Sequence, residues 1–281
     1  MIKINEKVVE IEHFPDGTLL LKENPTSLAY MIASFVNGCK KIKIRWHYEN
    51  NEELVAVIFL AKHLRRIGFS YIELIMPYIP NARQDRVKSD EDVFTLKYFA
   101  EIINNLDFNK VTVLDPHSSV SEALFNNLNI VNPQKYIQSA FDDINEQCEV
   151  SAQNPLIMFY PDEGAMKRYT NLIEMPYAFG IKNRDWKTGK IMGLDVSGAT
   201  DKIEGSRVLI VDDICSRGGT FYHSAKKLKE LGAKKIYLYV SHCENTILDG
   251  DLLDSGLIER VYTTNSIFTK EHGKIEVIPL D

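Results

Sequence analysis

The sequence lacks the features that mark disulfide-rich, zinc-binding and membrane-spanning proteins. Its 281 residues include only four cysteines, at positions 39, 148, 215 and 243, and none of them forms a CxxC pair. This spacing argues against a structural zinc site and suits a reducing compartment. No apolar run is long enough to cross a bilayer, and the first residues carry charges where a secretory signal needs an apolar segment. We therefore expect a cytoplasmic protein with no membrane partner.

Positive charge and the common nucleotide-binding fingerprints are also missing. Lys and Arg number 33 against 39 Asp and Glu, and the resulting net charge of −6 argues against a general nucleic-acid partner. Neither GxxxxGK[ST] nor GxGxxG occurs, so any nucleotide site must be built in another way. The 44% hydrophobic and 26% charged residues are typical of a globular protein. The length suits about two domains.

Apolar runs typical of β-strands alternate with helical patterns along most of the chain. The predicted strands are residues 42–46, 71–76, 110–114, 156–160, 208–211 and 236–240, and the predicted helices include 54–67, 94–106 and 222–231. This alternation predicts an α/β fold with parallel sheets flanked by helices. Residues 8–21 read instead as a hairpin. A sparse region at 145–155 suggests two halves, residues 1–145 and 146–281.

The most informative stretch runs from residue 208 to residue 220. Four apolar residues lead into Asp212 and Asp213, then into a polar loop with Gly218 and Gly219, and then into a helical pattern. Paired glycines before a helix start allow a phosphate to approach the backbone N–H groups, and carboxylates beside it can accept hydrogen bonds from a diol. The order predicts a ribose phosphate site. A plain strand, turn and capped helix is the alternative interpretation.

Other predicted strands also end in residues that can bind ligands. Arg83, Gln84 and Arg86 follow the strand at 71–76, and arginine forks match phosphate oxygens. His117 and Asp162 follow two further strands, and Mg²⁺ needs only one or two such groups together with substrate phosphates. Taken singly, each has an ordinary structural explanation. The carboxyl ends of parallel strands share one edge of a sheet, and this favours a common site.

A basic segment at residues 181–190 has no clear periodicity. It contains Lys182 and Arg184, and we expect an exposed loop that can close over a polyphosphate and neutralise its charge. The alternative is a plain connector.

Taken together, these segments resemble the ribose-phosphate pyrophosphokinase family from about Phe14 to about His242. The resemblance implies two type I phosphoribosyltransferase-like halves that transfer diphosphate from ATP to the anomeric hydroxyl of ribose 5-phosphate, with Mg²⁺. By the same resemblance Lys182 and Arg184 are catalytic, and His117 and Asp162 hold the metal. The implied ATP-binding residues are Asp16, Gly17, Thr18, Arg83, Gln84 and Arg86. The implied ribose-phosphate-binding residues are Asp212, Asp213, Ser216, Arg217, Gly218, Gly219 and Thr220.

The chain departs from the family pattern in ways that affect substrate and regulation. Where the family usually has Asp-Thr-Gly-Gly-Thr, this chain begins its loop with Ser216 and Arg217. A cation there suits a phosphate that is not terminal, so ADP-ribose, used by some phage-encoded relatives in rebuilding NAD, is an alternative acceptor. The acidic stretch at residues 88–92, together with the end of the chain at Asp281, leads us to expect that phosphate activation and allosteric ADP inhibition are weak or absent.

Two other function classes stay open at this point. One is a type I phosphoribosyltransferase, which would need no ATP pocket, and the other is an inactive regulatory homologue. The resemblance also implies that the hairpin at Asp16 reaches a neighbouring subunit, so we expect a homo-oligomer between a dimer and a hexamer.

Overall fold

The computed structural model describes residues 1–22, 35–36, 39–146, 155–184 and 191–280, with the backbone alone at 35–36, 39–40, 182–184 and 191–193. The chain divides into two compact units, Met1–Asn132 and Pro133–Asp281. This division falls before the expected boundary at residue 145, and it assigns the helix Gln134–Glu146 to the second unit. Tyr262 donates its hydroxyl to Asp143 at 2.6 Å, and the buried Arg207 donates to the Ile144 carbonyl at 3.1 Å. These long-range contacts attach the helix to the second unit.

The first unit is built around a seven-stranded sheet. The described strands of this unit, in chain order, are β1 (Ile2–Ile4), β2 (Lys7–Val8), β3 (Glu10–His13), β4 (Leu19–Lys22), β5 (Phe35–Val36), β6 (Cys39–Trp46), β7 (Tyr71–Ile75), β8 (Lys110–Leu114) and β9 (Leu128–Val131). Its described helices are α1 (Glu52–Arg66), α2 (Thr95–Asn104) and α3 (Val120–Leu124). The sheet order is β2-β1-β6-β7-β8-β9 with β5 beside β6, and β3 pairs with β4 as a separate hairpin. Strands β6 to β9 are parallel.

Alternation along β6 shows how this sheet buries one face. Ile42, Ile44 and Trp46 are fully buried, whereas Lys43, between the two isoleucines, is exposed. A strand turns successive side chains to opposite faces, so the apolar set lies on one side of the sheet. Trp46 contacts the Phe99 ring of α2 and donates its indole N–H to Glu53 of α1 at 2.9 Å. The helices therefore cover this apolar face.

The second unit contains another seven-stranded sheet. Its strands are β10 (Leu156–Tyr160), β11 (Tyr177–Arg184), β12 (Ile191–Gly198), β13 (Arg207–Cys215), β14 (Lys235–Cys243), β15 (Arg260–Thr264) and β16 (Ile275–Ile278). Its helices are α4 (Gln134–Glu146), α5 (Glu163–Tyr169) and α6 (Gly219–Glu230), with 3-10 turns at Thr200–Lys202 and Asn245–Asp249. The order is β12-β11-β10-β13-β14-β15-β16, and all neighbours are parallel except β11 and β12.

The α/β fold with mainly parallel sheets is confirmed, as is the hairpin at residues 8–21. Three local predictions were wrong, and the first is the strand predicted at 236–240, which continues to Cys243. The strand predicted at 208–211 continues through Asp212 and Asp213 to Cys215, because it stays in register with β14 as far as Cys243. The loop predicted at 181–190 begins as strand, since residues 181–184 pair with β12, while 185–190 lie outside the described residues. No helix among the described residues has the length and apolarity that a bilayer span requires.

Candidate active site

The predicted phosphate loop lies between the end of β13 and the start of α6. Gly218 has a φ of 80°, in the left-handed region that glycine adopts without strain. A Cβ at this position would lie 2.9 Å from side-chain atoms of Leu252. Both the backbone conformation and the packing therefore require glycine at position 218.

Gly219, the first residue of α6, is different. A Cβ built there meets no atom within 4 Å, so the protein's own packing does not exclude a side chain. The N–H groups of the first helical turn have no partners within the helix, and they favour an anion. Arg217 is exposed and forms no ion pair in the part of the chain that the structure describes. Open space, helix donors and a cation together provide what a phosphate needs.

Three carboxylates lie near this loop, on the ends of two adjacent strands. Asp212 and Asp213 come from β13, and Asp162 follows the neighbouring β10. Burial raises the pKa of Asp212 well above its usual value, and the negative charges of Asp213 and Asp162 raise it further. A site that holds a carboxylate against such repulsion favours a ligand that donates hydrogen bonds or carries positive charge.

Arg168 of α5 partly compensates these acids. Its guanidinium lies 3.2 Å from the carboxylate of the buried Asp213, and it also stacks over the Tyr169 ring at 5.4 Å from the centroid. Sequence reasoning missed Arg168, because Lys167 beside it is equally basic and instead pairs with Glu163 on the surface. Only the position on the helix distinguishes the two cations.

Glu244 was also missed. It follows the last residue of β14, and its Oε2 accepts hydrogen bonds from Ser216 Oγ at 2.6 Å and from Thr246 Oγ1 at 3.1 Å. The predicted strand stopped at residue 240, so Glu244 was not recognised as a strand-end acid. The same segment supports the loop, since a Cβ on Gly250 would lie 2.0 Å from the Arg217 carbonyl oxygen.

Asp162 has a local structural role. Its Oδ1 accepts a hydrogen bond from the Ala165 backbone N–H at 3.1 Å, so it caps the N-terminus of α5. Within the described ranges, no group of three or more His, Cys, Asp and Glu side chains is arranged to hold a metal ion.

In the first unit, three of the predicted ATP-binding residues lie in the segment that follows β7. Arg83, Gln84 and Arg86 are exposed, and Gln84 accepts a hydrogen bond from Thr95 Oγ1 at 2.6 Å. Arg86 binds the buried Asp85 through two hydrogen bonds of 2.7 and 2.9 Å. The hydrogen bond from Arg86 is the main cause that lowers the pKa of Asp85 to about 2, and the nearby His117 also contributes. Arg86 and His117 thus lie around one buried carboxylate.

The hairpin residues Asp16, Gly17 and Thr18 form the β3–β4 turn. Asp16 Oδ1 accepts hydrogen bonds from the Thr18 backbone N–H at 2.9 Å and from Thr18 Oγ1 at 2.7 Å, and these bonds lower the Asp16 pKa. Gly17 has a φ of 84°. Turn formation alone accounts for these three residue types.

Lys182 and Arg184 lie on β11, where Lys182 pairs with Leu194 and Arg184 with Ile191. A register irregularity separates Asn183 from Arg184. The side chains of both predicted catalytic residues lie outside the described part of the structure.

Comparison with known proteins connects both units to one family. Residues 3–106 match the family model for the N-terminal domain of ribose phosphate pyrophosphokinase, and residues 166–250 match the phosphoribosyl transferase domain. A ribose-phosphate pyrophosphokinase of Saccharolobus solfataricus is 27% identical over 86% of this chain and 77% of the relative. The Thermococcus kodakarensis protein of that name is 26% identical over 96% of this chain and 89% of the relative.

A solved structure shows the same fold. The phosphoribosylpyrophosphate synthetase of Mycobacterium smegmatis superposes with a TM-score of 0.75 over 97% of this chain and 86% of that one, at 19% identity. With a matching family model in each half and relatives that align along nearly the whole chain, the sequence belongs to the ribose-phosphate pyrophosphokinase family.

Proposed function

We propose that the protein transfers the diphosphate group of ATP to the anomeric hydroxyl of ribose 5-phosphate, releasing AMP. The observation that carries this proposal is the loop that joins β13 to α6. Its open space at Gly219, its helix donors and the exposed Arg217 suit a phosphate, while Asp212 and Asp213 suit a sugar diol. The 104-residue match to the pyrophosphokinase N-terminal domain favours this reaction over that of a phosphoribosyltransferase, which needs no ATP.

Mg²⁺ fits as a metal bound mainly by substrate phosphates. Asp162 would supply one carboxylate, and Mg²⁺ uses few protein ligands where phosphates are present. The role of His117 as a metal ligand rests on the family resemblance alone. Asp162 Oδ1 already accepts from a backbone N–H, which suits this limited role. The ion would neutralise charge that develops on the transferring phosphates.

The chain's own residues position the reactants and absorb charge. Asp212 and Asp213 would accept hydrogen bonds from the sugar hydroxyls, and Arg168 would hold Asp213 in place. Lys182 and Arg184 would stabilise negative charge on the diphosphate, since phosphoryl-type transfer depends mainly on positioning and electrostatics. Arg83, Gln84 and Arg86 would bind ATP, with the hairpin at Asp16 serving a neighbouring subunit in a homo-oligomer.

The direct test is product analysis. The purified protein is incubated with ATP, Mg²⁺ and ribose 5-phosphate, and the products are identified by mass. We expect AMP and a ribose 5-phosphate that has gained a diphosphate, in equal amounts. Absence of AMP with every acceptor tried would support an inactive homologue. Product formation from a ready-made phosphoribosyl diphosphate and a base, without ATP, would support a phosphoribosyltransferase.

ADP-ribose is a second candidate acceptor, and the exposed Arg217 favours it. ADP-ribose has a free anomeric hydroxyl next to a ribose 5-phosphoryl group, so the same transfer would give ADP-ribose pyrophosphate for rebuilding NAD. The Arg217 guanidinium forms no ion pair with the described residues, so its N–H donors can bind the second phosphate of such an acceptor.

Replacement of Arg217 separates the two acceptors. If Arg217 binds a second phosphate, Arg217→Thr should raise the KM for ADP-ribose about tenfold, an effect of about 1.4 kcal/mol, and leave the KM for ribose 5-phosphate nearly unchanged. Lys226→Thr on α6, the helix that follows the loop, is a charge-matched control. An equal effect of Arg217→Thr on both acceptors would remove the argument for ADP-ribose.

A further inference from the structure

Residues 244–252, here called the support segment, pack against the predicted phosphate loop. The segment follows β14 and contains a 3-10 turn. A Cβ on Gly250 would lie 2.0 Å from the Arg217 carbonyl oxygen, and the Leu252 side chain lies 2.9 Å from where a Cβ on Gly218 would stand. The backbone of two consecutive loop residues is therefore in close contact with this segment.

The first loop residue, Ser216, is held by hydrogen bonds. Ser216 Oγ donates to Glu244 Oε2 at 2.6 Å, and Thr246 Oγ1 donates to the same oxygen at 3.1 Å. The two hydroxyl oxygens are 3.3 Å apart. The Glu244 backbone N–H also donates to the Cys215 carbonyl at 2.8 Å. Both the main chain and the side chain of Glu244 therefore attach the start of the loop to the support segment.

The proton of the Ser216 hydroxyl is already used within this cluster. A hydroxyl has one proton to donate, and a carboxylate has none. The contact with Glu244 is the shortest of the three, so the Ser216 proton points to the carboxylate. A phosphate oxygen needs donors, and those left to it in the loop are the backbone N–H groups at the start of α6, where Gly219 leaves open space.

We propose that Glu244 is a positioning residue for the phosphate loop. It turns the Ser216 hydroxyl away from the ligand and fixes the loop in the conformation in which backbone N–H groups bind the 5-phosphate. This inference rests on the proposed function, which places the 5-phosphate in this loop. The role requires no contact between Glu244 and the phosphate or the reacting atoms.

The role depends on the acceptor oxygen of Glu244 and not on its charge. Oε2 accepts two hydroxyl protons, and a neutral amide oxygen also has two lone pairs for this purpose. A negative charge beside a phosphate site weakens phosphate binding, because like charges repel. The acceptor and the charge of Glu244 therefore act on phosphate affinity in opposite directions, and Glu244→Gln separates them.

The test measures the Kd of ribose 5-phosphate for the full-length protein by calorimetry, with Mg²⁺ and α,β-methylene-ATP, whose α–β bridge cannot be cleaved. Glu244→Ala loses the acceptor, and we expect Kd to rise about tenfold. Glu244→Gln keeps the acceptor and loses the charge, so its Kd should equal that of wild type or lie up to about threefold below it. Asp249→Ala, an exposed acid on the same 3-10 turn, is the control and should leave Kd unchanged.

Ser216→Ala distinguishes a tether from a direct phosphate ligand. If the hydroxyl only connects the loop to Glu244, Ser216→Ala should raise Kd about as much as Glu244→Ala does. The double variant should then lie within about threefold of either single variant, because both changes remove the same contact. Ser216→Ala also leaves Glu244 in place, so it tests the tether where Glu244→Ala fails to fold.

Three outcomes would overturn the inference. The first is a Kd that rises as far in Glu244→Gln as in Glu244→Ala, and the second is a double variant whose losses in binding free energy add in full. The third is a kcat for Glu244→Gln more than about tenfold below wild type, which would show that the carboxylate takes part in the chemistry. Wild-type protein that binds ribose 5-phosphate and shows the expected variant pattern, but releases no AMP from ATP, would contradict the proposed reaction alone. The two failures are therefore distinguishable.

Discussion

Asp85 in the first unit and Asp212 in the second are acids whose surroundings act on them in opposite directions. In the first unit, hydrogen bonds from Arg86 and Ser118 and the charge of His117 lower the pKa of Asp85 to about 2. In the second unit, burial and the carboxylates of Asp213 and Asp162 raise the pKa of Asp212. The same residue type is stabilised as an anion in one place and destabilised in the other.

From this difference we infer that Asp85 is a structural acid and that Asp212 is a binding acid. The protein itself satisfies the charge of Asp85, which therefore stabilises the segment after β7 whether or not a ligand is present. Asp212 is surrounded by charges of its own sign, and such strain is typical of sites that gain their missing partners from a ligand. Arg168 neutralises Asp213 at 3.2 Å, and Asp212 depends more on what binds.

The strongest test of this comparison is Asp212→Asn. The amide cannot accept two hydrogen bonds from a diol as a carboxylate does, so we expect kcat/KM for the acceptor to fall about 100-fold, or about 2.7 kcal/mol. Stability without substrate should not decrease, because the variant removes repulsion. A large loss of stability together with the loss of activity would contradict the binding role of Asp212.

The pH dependence of the free energy of unfolding is a second test of the raised pKa of Asp212. A carboxyl whose folded-state pKa is raised destabilises the fold as the pH rises from its unfolded pKa, about 3.9, toward the folded value. In the absence of divalent cations, the stability advantage of Asp212→Asn over wild type should therefore grow as the pH is raised from 4 to neutrality. Thermal unfolding at several pH values measures this difference, and an advantage that shrinks with rising pH would show that the pKa shift has the opposite sign.

Asp85→Asn should have the reverse effect. Because the folded-state pKa of Asp85 is lowered to about 2, its ionised form contributes about 2 kcal/mol at neutral pH. That contribution is fully present above the unfolded pKa and is lost as the pH falls through about 2. Urea unfolding at pH 7 should show the deficit, and the deficit should narrow below pH 4. The exposed Asp90→Asn in the same segment is the control, and an equal cost for both variants would contradict the structural role of Asp85.

The sequence was sufficient for central strands of the two sheets because several buried parallel strands are continuous apolar runs, such as residues 156–160 and 236–240. The remaining sheet strands, β1, β2, β5, β9, β11, β12, β15 and β16, were not predicted. The prediction also failed where polar residues continue a strand. Ser241 and His242 lie inside β14 and are buried. Their polar groups have partners there, since Thr264 donates to the Ser241 carbonyl at 2.6 Å and His242 Nδ1 lies 2.8 Å from Ser266 Oγ. No local pattern reveals such distant partners. Because the predicted strand ended at residue 240 and β14 ends at Cys243, Glu244 was not recognised as an acid at a strand end.

The sequence shows residue types that can bind ligands at the ends of several strands, but it does not show the role of each residue. Asp212 and Asp213 are adjacent and chemically identical, yet only Asp213 is paired with Arg168 at 3.2 Å. Gly218 and Gly219 form a similar pair that only the three-dimensional structure separates. The identity of a loop residue can be read from sequence, whereas its neighbours depend on how distant segments pack.

The two glycines provide the finest test. Gly218→Ala must place a Cβ 2.9 Å from Leu252 in a left-handed backbone, so we expect stability to fall by more than about 1 kcal/mol. Gly219→Ala meets no protein atom within 4 Å, and its stability should be unchanged or slightly higher, because alanine favours a helix over glycine. Its methyl group would instead occupy the space assigned to the phosphate, raising the KM for ribose 5-phosphate about tenfold, or about 1.4 kcal/mol. Thermal unfolding and initial rates measured on both variants separate the two effects, and an unchanged KM in Gly219→Ala would mean that the phosphate binds elsewhere.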